Sequence, residues 1–152
     1  MRSLNQFLPL LFSCVLLLMG NGLLFIVLPM SMRISGSETD TIGMIMSLYF
    51  VGMLFGSLYG RYLIARVGHI RIFAACAAIA TVSALLYSIW SSPVVWGALR
   101  IIAGICNATL FMAMETWLSD SSNSENRGTV FGAYQFATYF GLTIGQMMLA
   151  LA

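Results

Sequence analysis

Long apolar runs separated by short polar breaks make up this chain. Five runs stand out, over residues 7–30, 41–59, 72–90, 94–118 and 129–152. A helix needs about 20 mostly apolar residues to cross the hydrocarbon core of a bilayer, and each run meets or nearly meets that length. None alternates in the two-residue rhythm of a barrel strand. In lipid every backbone N–H and C=O must be satisfied within its own segment, so the runs are predicted as helices. The expected fold class is an all-α membrane protein, a polytopic helical bundle of five transmembrane helices. The first run is too long for the h-region of a secretory signal, about 7–15 residues, and is read as an uncleaved span.

The breaks are short. Ser31 to Asp40 is polar, Gly60 to Arg71 is basic, Ser91-Ser92-Pro93 reads as a tight turn, and Ser119 to Gly128 is polar. Pro93 suits a helix start and cannot continue the helix before it. Composition agrees with a lipid solvent: 60% of the residues are hydrophobic and 8% charged, against about 25% charged in soluble domains. The mean hydropathy is +0.92.

All seven basic residues are arginines, and three of them sit in the Gly60–Arg71 segment. Arginine-rich flanks stay cytoplasmic. With the N-terminus inside, Arg2, Arg61, Arg66, Arg71 and Arg127 are cytoplasmic and only Arg33 is outside. The expectation is a multi-pass protein of the plasma membrane (the inner membrane in a bacterium) with a cytoplasmic N-terminus. The arginines are spent on topology, so no nucleic-acid partner is expected; the lipid bilayer is. The fifth run is still apolar at Ala152, so the chain reads as one incomplete N-terminal transmembrane domain of a longer protein; the alternative is a small five-span protein.

Candidate chemistry is sparse. Cys14, Cys76 and Cys106 lie singly in apolar runs, so the sequence gives no sign of metal or disulfide chemistry. No phosphate loop, catalytic triad or paired-histidine motif is present, and neither enzymatic activity nor a cofactor is expected. Gly52, Gly56 and Gly60 recur every fourth residue, as do Ala137, Gly141 and Gly145. Such faces let helices approach closely, for tight packing or for sliding.

Ionisable groups inside spans are paired, face water, or snorkel to an interface. Arg100, Gly104, Asn107, Phe111 and Glu115 share one face of a helix at 3.6 residues per turn, with the two charges about 22 Å apart. They mark either the ends of a polar stripe or two snorkelling side chains. Asn21, between two glycines, is either helix–helix glue or a cavity residue, and Gln135, Tyr139 and Gln146 are weaker cases.

The Gly60–Arg71 segment resembles the signature loop of the major facilitator superfamily, with Leu63, Arg66 and Gly68 in place and Arg71 as a basic residue. Ala65 stands where that family usually has aspartate, and His69 where a basic residue is usual. The stretch Arg100 to Ala108 looks like the family's fourth-helix motif, through Arg100, Gly104 and Ala108. Asn126-Arg127-Gly128 with Gly141 and Gly145-Gln146, and Glu115 in the fourth span, is similar to the YcaD-like subgroup.

The resemblance implies the first five helices of a six-helix half in a secondary transporter, with substrate held near the midplane between two halves. It implies alternating access for a small solute, and the C-terminal half as the partner. The first and fourth helices would line the cavity, which brings in Asn21, Arg100 and Asn107. Gly60, Leu63, Arg66, Gly68 and Arg71 would form the conformational loop. Glu115 is the candidate for proton coupling or gating, and its place toward the cytoplasmic end favours gating. The alternative is a non-transporting membrane module or a truncated inactive product, acting, if at all, through a partner.

Overall fold

The computed structural model describes residues 7–90 and 92–149, and among these it contains five helices and no strand. They are α1 (Leu8–Ile34), α2 (Thr39–Val67), α3 (His69–Ile89), α4 (Pro93–Ser121) and α5 (Arg127–Met148). The first four are long and apolar enough to cross a membrane. The protein is all-α and multi-pass. Arg2, Ser91 and residues 150–152, which carry parts of the sequence reading, lie outside the described residues.

The helix ends explain the connections. At the end of α1, Gly36 adopts φ +80°. Its N–H donates to the Arg33 carbonyl at 3.1 Å, and the Ser37 N–H donates to the Met32 carbonyl at 3.0 Å. This paired closure is the Schellman motif, which satisfies the orphan carbonyls of a helix end. Pro93 opens α4, where its missing N–H has no helical partner to lose. Before α5, Asn123 and Asn126 exchange bonds: each backbone N–H donates to the other's side-chain oxygen, at 2.9 and 3.1 Å.

The Gly60–Arg71 segment is not a loop. α2 continues through Arg61, Leu63 and Arg66 to Val67, and α3 begins at His69. Apolar run length marks where lipid ends, whereas helix continuation depends on backbone preference, and Arg, Leu and Ala all favour helix. The stop comes at Gly68, whose φ of 90° and ψ of 155° define a region essentially restricted to glycine. At 29 residues α2 is about 43 Å long, longer than a hydrocarbon core of about 30 Å, so its basic end extends beyond the lipid.

The chain divides into two compact units. One combines the chain up to Ser31 with the stretch from Thr116 onward, and the other is Met32–Glu115. Each is organised around a pair of parallel helices in backbone contact. In the second unit a Cβ added at Gly56 would meet the Ile105 carbonyl oxygen at 2.6 Å, and one added at Gly52 would collide with the Ile101 carbonyl. Gly60 comes against Thr109. The partners 52/101, 56/105 and 60/109 advance four residues at a time on both helices, so α2 and α4 run in the same direction. From the α4 side, Gly104 sits under the Met53 N–H and the Gly52 Cα.

The first unit repeats the arrangement. A Cβ at Gly141 would lie 2.7 Å from the Val15 carbonyl oxygen, one at Gly22 would lie 2.6 Å from that of Leu142, and one at Gly145 would collide with Met19. Val15/Gly141 and Met19/Gly145 again advance together, so α1 and α5 are parallel. The Cys14 thiol and Thr138 hydroxyl meet across this seam at 3.7 Å, and Phe7 packs edge-on against Trp117 at 5.8 Å.

Apolar side chains fill the outer faces. Phe50, Leu54, Leu58 and Tyr62 of α2, and Val82, Leu85 and Ile89 of α3, are exposed. In a membrane these faces meet lipid tails.

These contacts set a test. Gly52→Ala drives a methyl group into backbone, and overpacking of this kind costs about 1–3 kcal/mol. Gly132→Ala, at a helical position with nothing within 4 Å of an added Cβ, gains helix propensity of up to about 1 kcal/mol. Thermal unfolding in detergent, followed by tryptophan fluorescence, should show the first variant melting earlier and the second at or above wild type.

Candidate functional site

Arg100 is the largest fully buried side chain among the described residues, at 1% exposure. Two tyrosines surround it. Its guanidinium carbon lies 5.7 Å from the Tyr49 ring centroid and 5.8 Å from that of Tyr87. A cation within about 6 Å of an aromatic centroid is attracted by the ring's negative face. Tyr49 comes from α2 and Tyr87 from α3, so the α4 arginine is held by both neighbours in its unit. Tyr87 also packs edge-on against Trp96 at 6.2 Å, and the Trp96 indole N–H donates to the Trp90 carbonyl. The Tyr87 hydroxyl is buried with no hydrogen-bond partner among the described residues.

The face that carries Arg100 changes character along α4. Gly104 is pressed under α2. Asn107 is buried, and its amide donates to the carbonyl of Ala103 in the preceding turn at 3.1 Å. Thr109 is fully buried and donates to Ile105 at 2.8 Å. Phe111 is half-buried and Glu115 is exposed. The stripe is therefore not a uniform track: α2 covers its Arg100–Gly104 end, because two glycines let the helices touch there.

In the first unit, Asn21 is half-buried on α1, next to the glycine seam. Gln135 and Tyr139 lie one turn apart on an exposed face of α5, beside Phe136 and Phe140, which stack at 5.5 Å. Arg127 donates to the Ser119 hydroxyl at 2.9 Å and lies over the Phe131 ring, tying the start of α5 to the end of α4.

The signature residues are divided between two helices. Gly60 lies in the α2–α4 seam, Leu63 and Arg66 are exposed on the last turns of α2, Gly68 makes the break, and Arg71 is exposed in the first turn of α3. Arg61 folds back on its neighbour, donating to the Tyr62 hydroxyl at 2.8 Å. Among the described residues no group of three or more His, Cys, Asp or Glu side chains is arranged to hold a metal.

Sequence reasoning missed Tyr49, Tyr87 and Trp96. Tyr49 carried a usable signal, since it precedes Gly52 by three residues and shares its face. Tyr87 and Trp96 become partners only once the α3–α4 turn is known to be tight.

The sequence profile of the Major Facilitator Superfamily matches residues 10–152. The chain belongs to that superfamily. The uncharacterized MFS-type transporter YcaD of Salmonella enteritidis PT4 is 34% identical over 149 residues, covering 93% of this chain and 37% of that protein. Proteins of the same name from Salmonella dublin and Salmonella newport are 32% identical over 145 residues and 33% over 149, with the same coverage. The chain thus spans 37% of the length of these superfamily relatives. No solved structure matches it.

Arg100→Ala removes both ring contacts and leaves a void at the centre of the second unit, and large-to-small changes at buried sites cost roughly 2–5 kcal/mol. Arg100→Lys keeps the charge but loses the planar group that spans two rings. Unfolding of the purified chain should rank wild type above Lys above Ala. An alanine variant as stable as wild type would remove Arg100 from the packing of α2 and α3 on α4.

Proposed function

We propose that this chain is the leading part of a secondary active transporter that moves a small solute across the plasma membrane by alternating access. The observation that carries the reading is the superfamily match across residues 10–152, supported by relatives named as transporters of whose length the matched stretch covers 37%. The partner it requires is a second half of the same transporter. The N-terminus is cytoplasmic in this reading, which puts the Gly68 break and its flanking Arg66 and Arg71 on the same side. The chemistry is transport, not catalysis, and it needs no cofactor.

Each compact unit, taken by itself, carries polar candidates for contact with a solute: α4 in the second, α1 and α5 in the first. Asn21, Arg100 and Asn107 are the first candidates, with Gln135 and Tyr139 on α5. Arg100 orients an anionic group or stabilises the cavity wall. Arg66 stands in the last turn of α2, where a cation meets the negative end of the helix dipole. With alanine at position 65, Arg66 rather than an acid is the charge we assign to latching one conformation. Glu115 is exposed and can gate the path or exchange a proton.

Uptake and efflux by the whole transporter in membrane vesicles test this reading, with the present chain alone as the control. The whole protein should move a solute and the chain alone should not; an inert whole protein would leave the non-transporting module as the better account. Arg66→Ala should slow transport a few-fold, the size of a helix-end interaction of about 0.3–1 kcal/mol, with normal membrane insertion. Wild-type rates in that variant would rule out the latch. Glu115→Gln should flatten the pH dependence of transport, and an unchanged pH profile would remove Glu115 from coupling.

A further inference from the structure

Gly132, Gln135, Tyr139, Thr143 and Gln146 lie along one side of α5, and all are exposed. At about 100° per residue they fall within an arc of about 80°. From Gln135 to Gln146 the stripe runs about 16 Å along the axis, more than half of a hydrocarbon core of about 30 Å. Phe136, Phe140 and Met147 occupy the neighbouring arc and are exposed as well. A third side holds Gly141 and Gly145, pressed on Val15 and Met19 of α1. The helix is thus divided lengthwise into a packing seam, a polar stripe and an apolar stripe.

The polar stripe is a poor match for lipid, because a polar group in hydrocarbon is costly without a partner. It is also a poor match for another helix. Close helix contact uses small residues, and the small residues of α5 that meet backbone are already spent on α1. The stripe instead projects two glutamines and a tyrosine, and beside them Gly132 opens on space, with nothing within 4 Å of an added Cβ. Long polar side chains beside a gap are the form of a wetted wall, and polar residues within membrane spans commonly line water-filled cavities.

The stripe carries no charge. The one ionisable cation on α5 is Arg127, at its first position, where it is bonded to Ser119. Amide and hydroxyl groups each donate and accept hydrogen bonds. A solute bearing hydroxyls or amides replaces water on such a wall bond for bond. An ionic solute meets no opposite charge there.

We propose that Gln135, Tyr139, Thr143 and Gln146 form a water-facing wall that binds an uncharged solute through its hydroxyl or amide groups, while Phe136, Phe140 and Met147 face lipid. The assignment of a solute rests on the transport reading; the water-facing wall does not.

The test places single cysteines in the whole transporter in membrane vesicles: Gln135→Cys, Tyr139→Cys, Thr143→Cys and Gln146→Cys on the stripe, and Phe136→Cys, Phe140→Cys and Met147→Cys beside it. Each is treated with methanethiosulfonates of similar size carrying a neutral hydroxyethyl, an anionic sulfonatoethyl or a cationic trimethylammonioethyl group. Modified peptides are mapped by mass spectrometry, and rates are divided by those for 2-mercaptoethanol. The thiolate is the reacting form, so a thiol in lipid stays protonated and inert. The stripe positions should react and the flanking ones should react only after unfolding in SDS. On the stripe each ionic reagent should be slower than the neutral one by roughly tenfold, since a charge finds no partner there. Equal reactivity of the two sets, or silence of the stripe, would overturn the water-facing wall. Faster reaction with the anionic or the cationic reagent would overturn the uncharged class. Solute flux in the same vesicles separates the two readings: a labelled stripe without flux removes transport alone, and flux with an unlabelled stripe removes the wall alone.

Discussion

Backbone contact at glycine is the constraint on which the rest of the structure depends. Lipid tails are as apolar as leucine, so burial of apolar surface gives membrane helices little reason to associate. What remains is dispersion over closely fitted surfaces, and its strength falls steeply with any gap. Gly52, Gly56 and Gly104 remove the side chains that would hold α2 and α4 apart, and Gly22, Gly141 and Gly145 do the same for α1 and α5. The repeat of four residues on both members of each pair keeps the seam closed over several turns. Parallel pairs follow from topology, because spans separated by an odd number of others (one between α2 and α4, three between α1 and α5) cross the bilayer in the same direction.

The buried arginine depends on that seam. Tyr49 reaches the guanidinium because α2 lies against α4 at Gly52 and Gly104, one turn away. A charge in this position is expensive unless it is well surrounded. Guanidinium suits the place better than ammonium, since it is planar, weakly hydrated and stacks on aromatic faces. Tyr87 completes the enclosure from α3, so one side chain joins three helices. The same side chain is a solute candidate and a structural tie, and its burial means that a solute would have to displace or slide along the rings to reach it.

The five helices and their order were legible because apolar run length is the dominant signal in a lipid-embedded chain. Helix ends were less legible, for a physical reason that Arg61 to Val67 make plain. Those residues leave the apolar run but not the helix, and only Gly68 forces the backbone out. The fourth-residue spacing of the glycines was in the sequence, whereas the identity of each facing helix required the fold. For Arg100 the sequence offered a charge in a span and a shared face, and it gave no hint that α2 would cover that face. Tyr49 and Tyr87 lie on other helices, and no local spacing links them to residue 100.

The Tyr87–Trp96 contact illustrates how a long-range pair could be anticipated. A short turn between antiparallel helices places residues equally distant from it opposite one another, and Tyr87 and Trp96 lie four and five residues from position 91. The condition is that the turn be tight, which Pro93 at the first position of α4 and the Trp96–Trp90 bond enforce. That pairing also falls where α3 needs it. No glycine seam joins α3 to its neighbours, and its buried residues are confined to Ile72, Cys76, Ser83 and Tyr87. Of the helices in its unit, α3 has the narrowest grip, with Tyr87 near one end and Ile72 near the other.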